Sequence, residues 1–233
     1  MSFQRRTFNH ENLTLSYLDT GSSPASINRP PLLCLHAHLM QGATYTGLAE
    51  ALSPDYRVIA PDQRGHGDSS HAATYTREDY LGDIEALLAS LDLPQAVLLG
   101  NSLGGVNAYQ FAARHPDRVR ALIIEDIGAV VADDISFVLP WQGVYTTREE
   151  LESKIDDRFI PYLRDSFRHS EEGCISRSIR RIWSDRSRTL LATTGLTGLL
   201  PTAAQSSSGA AKAGFPQQTI WKKWQNAAPI RIS

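Results

Sequence analysis

Cysteine is scarce in this chain. There are two in 233 residues, Cys34 in an apolar run and Cys174 in a polar region. Such a pair makes neither a disulfide framework nor a metal motif. Long apolar runs are missing as well; none approaches the roughly 20 residues of a membrane-spanning helix. The opening Met1-Ser2-Phe3-Gln4-Arg5-Arg6 lacks the apolar core of a secretory signal, so the expectation is a cytoplasmic protein. Neither sign of charge is in large excess: 23 Lys and Arg stand against 25 Asp and Glu. That balance points to no nucleic acid and no anionic membrane as partner. No G-x-G-x-x-G follows the first apolar strand, and no Walker lysine occurs, which argues against a nucleotide-binding domain.

Two further absences are local. No histidine occurs after His169. Residues 181–233 hold a single acid, Asp185, against seven bases, whereas residues 1–180 carry a net charge of −8. The tail also shows no sustained period of 2 or 3.6.

The remainder of the chain is patterned. Phe3–Phe8 and Leu13–Asp19 read as a strand pair joined by the polar turn His10-Glu11-Asn12. Pro31–His36, Tyr56–Ala60, Ala96–Leu99 and Ala121–Ile124 are short continuous apolar runs, as in strands buried on both faces. Helical segments fall between them: Gly42–Leu52, a stretch opened by Thr76 with Asp79 in capping-box spacing, and Leu103–Arg114. Tyr80, Ile84, Leu87, Leu88 and Leu91 form the apolar stripe of the second. The alternation predicts an α/β fold with a mostly parallel sheet and flanking helices. After Gly128 the pattern turns helical. Thr147 and Glu150 have capping-box spacing, and Leu151, Ile155 and Phe159 follow at i, i+4 and i+8. The expected division is a core over residues 1–128, a partial helical cap over 129–180 and an aberrant tail over 181–233.

One stretch organises the rest. In Gly100-Asn101-Ser102-Leu103-Gly104 an apolar strand meets a helix through G-x-S-x-G. A serine at such a junction must turn sharply to present its hydroxyl, and flanking glycines remove the side chains that would clash. Helix N-terminal N–H groups lie beside that hydroxyl, where an oxyanion would form.

The order His36-Ala37-His38, then Asp62-Gln63-Arg64-Gly65-His66-Gly67-Asp68-Ser69, then Gly100–Gly104 resembles the α/β-hydrolase family over about residues 10–180. The resemblance implies a serine nucleophile, a histidine base, an acid orienting that histidine, and a two-amide oxyanion hole. Ser102 carries over as nucleophile. The Leu103 N–H is one oxyanion donor and the His38 N–H the other, with Ala37 where the family usually has glycine. His36 is expected to brace its loop. The Arg64–Ser69 loop is expected to be a turn held by glycines and an arginine–aspartate contact. Asp126 is the preferred acid over its neighbour Glu125. The family's base would follow the last strand, where no histidine stands.

Codon arithmetic offers a reason. Shifted by one base, Thr219–Gln225 reads NMEEMA, Ser206–Phe215 reads (V/I)LIRGGKSRV, and Ala192–Gly198 reads GDYWADW. A frameshift near residues 178–183 is therefore expected, with the C-terminal strands missing from the chain. Ala121–Ile124 would then be an exposed edge strand. The expected activity is hydrolysis of a small carboxylic ester or acyl compound through an acyl-enzyme on Ser102, impaired by loss of the base. No cofactor and no metal are implied. A catalytically dead product is the other reading. An intact relative acting as enol-lactonase, C–C hydrolase or cofactor-free peroxidase also shares the serine elbow. A dehalogenase is disfavoured, because that chemistry places a carboxylate where Ser102 stands.

Overall fold

The structure is a computed structural model and describes residues 3–128, 136–141, 143–170 and 173–176. The tail and its reading as out-of-frame lie outside the described residues. Six strands form the main sheet: β1 (Gln4–His10), β2 (Leu13–Asp19), β3 (Leu32–Leu35), β4 (Val58–Pro61), β5 (Ala96–Asn101) and β6 (Val119–Glu125). Their order is β1-β2-β4-β3-β5-β6. The β1-β2 and β2-β4 pairings are antiparallel, and β4-β3-β5-β6 is parallel. Helices α1 (Thr46–Leu52), α2 (Arg77–Ser90) and α3 (Leu103–Arg114) supply the crossovers. The fold class is thus the expected one.

Local chemistry explains the boundaries. Thr76 accepts from the Asp79 N–H, and the Asp79 carboxylate accepts from the Thr76 N–H, so the capping box of α2 is complete. Leu81, Ile84, Leu87 and Leu88 of that helix are buried with Leu33, Leu35 and Leu98 of the sheet and Phe111 of α3. Each such side chain contributes about 1.5–3 kcal/mol on burial. On the other face, Cys34, Val58, Ala60 and Leu99 pack with Tyr45 and Ala49.

One feature departs from the apolar run and yet meets the expected edge; another departs from the helical pattern. β6 is the edge of the sheet among the described strands, as expected for Ala121–Ile124, and Leu122 and Ile124 are 39% and 36% exposed. An apolar run shows that a strand can be buried, but pairing on both sides depends on neighbours elsewhere in the chain. The segment expected as a helical cap contains more than helices. The helical pattern through 151–159 ends at Glu152 in α4 (Arg148–Glu152), α5 (Ile160–Leu163) follows, and β7 (Val144–Tyr145), β8 (Phe167–Ser170) and β9 (Gly173–Ser176) form a small antiparallel sheet. Leu151, Ile155, Leu163 and Cys174 still share one buried cluster, as their apolar character required. That cluster also takes in Leu39, from the loop after β3, the strand that pairs with β5 of the elbow.

Candidate active site

Ser102 sits between β5 and α3 with φ 48 and ψ −111, a backbone conformation L-residues rarely adopt. It persists because the surroundings over-determine it. The Ser102 N–H donates to the Glu125 carbonyl on β6, and the Ser102 carbonyl accepts from the Val106 N–H in the first turn of α3. A Cβ on Gly100 would lie 2.3 Å from the Gly104 carbonyl oxygen, and one on Gly104 would lie 2.0 Å from that of Leu35. The glycines are therefore needed because backbone meets backbone there. Ser102 is part-exposed, and the Leu103 N–H opens α3 beside it.

The loop after β3 is held by its own hydrogen bonds. The His36 Nδ1 lies 2.7 Å from the Ala37 carbonyl, which can only accept, so Nδ1 carries the proton. The Gln63 N–H donates to His36 Nε2 at 3.0 Å, which fixes the same tautomer from the other side of the ring. The Met40 N–H adds a second bond to the Ala37 carbonyl at 3.2 Å. In a trans peptide the N–H points opposite to the C=O. Pinning the Ala37 carbonyl thus sets the direction of the His38 N–H, the expected oxyanion donor. His36 braces this loop, as its position suggested.

Three imidazoles pack together here. His66 meets His36 and His38 edge-on, with ring centroids 5.1 and 5.3 Å apart. Burial pushes His36 down to about 4. Burial, then the adjacent ring of His66, pushes His38 down to about 3, and burial followed by His36 does the same to His66. All three are neutral at pH 7. An unfolded chain protonates its imidazoles near 6.5. Between that value and about 3–4 the unfolded state binds more protons, so stability falls as pH drops through this window. The melting temperature is expected to decline steadily below pH 6.5. A flat profile down to pH 4 in a calorimetric series contradicts this.

The two neighbouring acids have different fates. Glu125 ends β6 opposite Asn101 and hydrogen-bonds that side chain; burial raises its pKa, and Asp126 nearby adds to the rise. Asp126 follows in a left-handed conformation, φ 55, and is exposed. The Arg64–Ser69 loop has glycines in left-handed conformations and an arginine–aspartate contact, but the contact leaves the loop. Arg64 does not close a contact within the loop; it reaches Asp83 on α2 with two bonds, at 2.6 and 2.8 Å. Asp68 instead pairs with Arg5 at 3.1 Å.

All seven histidines fall within the described residues, and none hydrogen-bonds Ser102. His10 pairs with Asp83, His71 approaches the Tyr75 hydroxyl, His115 stacks on Phe111 and His169 lies exposed on β8. Among the described residues, no three His, Cys, Asp or Glu side chains are placed to hold a metal ion.

A family model for the alpha/beta hydrolase fold matches residues 30–232. The chain belongs to that family. It is 36% identical over 115 residues to a 2-(acetamidomethylene)succinate hydrolase of Mesorhizobium japonicum, covering 49% of this chain and 39% of that one. It is 35% identical over 103 residues to the sn-1-specific diacylglycerol lipase of Mus musculus, covering 43% and 34%. The chain thus spans about two fifths or less of these curated relatives. An alpha/beta hydrolase from Novosphingobium aromaticivorans matches in structure with TM-score 0.64 and 27% identity, over 76% of this chain and 70% of that one. Among the described residues, no helix of this chain is long and apolar enough to cross a membrane.

Proposed function

We propose that the chain is built as a serine hydrolase that forms an acyl-enzyme on Ser102 and acts on a small carboxylic ester or related acyl compound. The observation that carries this is the elbow itself: a strained serine, part-exposed, at the start of a helix whose first N–H groups have no intrahelical acceptor. The Leu103 and His38 N–H groups would receive the oxyanion. Asp126 is the proposed acid, because it stands immediately after the residue that pairs with the elbow strand, and Glu125 is engaged by Asn101. The cap would set acyl size, since its apolar cluster reaches Leu39 beside the oxyanion loop. The relatives' names, a succinate-derivative hydrolase and a diacylglycerol lipase, fit acyl transfer to water. The proposed setting is cytoplasmic, with a small-molecule partner and no nucleic acid or membrane.

A second reading has its own observation. No histidine hydrogen-bonds Ser102, so no base is placed to take its proton, and the chain is then an elbow without a working triad. It follows from the frameshift proposal, which resequencing over the codons of Ser206–Ser208 tests: absence of an apolar run one base earlier removes it. A fluorophosphonate probe separates the readings. One adduct per chain, competed by a small ester, supports the hydrolase for this polypeptide. No adduct here, with labelling gained once the frame is repaired, supports the second.

A further inference from the structure

We propose that Gln63 and Asn107 are positioning residues that hold the oxyanion loop through a one-directional chain of hydrogen bonds that begins at the half-buried Arg77. The inference rests on the oxyanion role given above to the His38 N–H. The Gln63 Nε2 donates to the His36 carbonyl at 2.7 Å. The Gln63 Oε1 accepts from the Asn107 Nδ2 at 2.6 Å. The Asn107 Oδ1 in turn accepts from the Arg77 Nη1. His36, Gln63 and Asn107 are all buried.

The two ends decide the direction. A guanidinium has donors and no acceptor, and a backbone carbonyl has lone pairs and no donor. Between them, two side-chain amides can satisfy every contact in only one arrangement: each turns its oxygen towards Arg77 and its nitrogen towards His36. The amide orientation at Gln63 is therefore set from α2, two side chains away. Its consequence is local to the loop. The His36 carbonyl is held by Gln63, and the Ala37 carbonyl by the His36 ring and the Met40 N–H. Successive peptide planes are fixed, and the His38 N–H is left pointing opposite to the held Ala37 carbonyl. Preorganisation of this kind spares the loop from reorienting when charge develops.

Asn107→Asp is the sharpest test. The carboxylate still accepts from Arg77 but cannot donate to Gln63. The Gln63 amide then reverses to donate towards residue 107, and its oxygen faces the His36 carbonyl, acceptor against acceptor. Gln63→Met removes the polar group at similar length and serves as the second variant. In the full-length chain, the maximal rate of inactivation by a fluorophosphonate is expected to fall at least about tenfold in both variants, with the concentration for half-maximal rate unchanged. A complete loss of one oxyanion donor is worth about 10²–10³ in other hydrolases and bounds the effect. Amide exchange at Met40 is expected to accelerate in step, because its acceptor is the Ala37 carbonyl. Unchanged inactivation and unchanged Met40 exchange in a folded variant would overturn the proposal and leave the chain of bonds as packing only. If the unaltered chain takes no phosphonate, the hydrolase reading fails for this polypeptide. Met40 exchange then decides the positioning role alone: faster exchange upholds it, and unchanged exchange overturns it.

Discussion

Ser102→Ala is expected to abolish phosphonate labelling and to remove whatever ester turnover the chain has beyond its oxyanion donors. In a serine hydrolase with a full triad, loss of the nucleophile costs about 10⁶ in turnover. The substitution is unusually clean at this position. Alanine keeps a Cβ, so the strain at φ 48 is the same for both residues. The backbone bonds to Glu125 and Val106 do not involve the side chain. No hydrogen bond to the Ser102 hydroxyl is present among the described residues, so none is broken. Stability is therefore expected to change by no more than about 0.5 kcal/mol. Gel labelling alongside thermal melts checks both halves. A variant labelled like the parent would move the nucleophile elsewhere.

Asp83→Ala is expected to cost about 3–5 kcal/mol, the range for stranding one member of a buried ion pair. The Arg64 side chain is 1% exposed, and its two-pronged contact with Asp83 is its main counter-charge. Asp79 approaches Nη1 at 3.3 Å, and the Thr74 carbonyl accepts from Nη1 at 3.3 Å, but neither replaces the fork. His10 also loses its partner at 2.8 Å. For a domain whose total stability is about 5–15 kcal/mol, such a loss threatens folding. Replacing both partners by apolar residues of similar volume, Arg64→Met with Asp83→Leu, is expected to recover most of it. Urea titrations of the three chains decide. A single variant within 1 kcal/mol of the parent contradicts the burial argument.

Those two sites mark how far the residues alone could be read. The elbow was legible because its chemistry is local. Gly100, Ser102 and Gly104 lie within five residues, and a strand and a helix flank them. The capping box of α2 was legible for the same reason. His36 was readable as a brace from its place after a buried strand. Arg64 was not. Aspartates stand near it in the chain, yet the turn through Gly65, at φ 75, leaves the guanidinium inside, facing an acid 19 positions away on α2. The chain from Arg77 through Asn107 to Gln63 was hidden too, since it joins two helices and a loop by single polar side chains that leave no period. The cap sheet left little trace because its strands are two to four residues long. Glu125 and Asp126 could be separated only by register, which places Asn101 opposite the first of them.

The proposed loss of the base limits turnover but not the first chemical question. A chain with a strained serine and the two N–H groups proposed for the oxyanion can still be acylated by a reactive ester, and without a base it would deacylate slowly. Incubation of the full chain with p-nitrophenyl acetate, followed by peptide mass mapping, tests this most directly. The account predicts one acyl group on the peptide that carries Ser102, lost in Ser102→Ala. Acylation confined to another residue, with Ser102 unmodified, would contradict it.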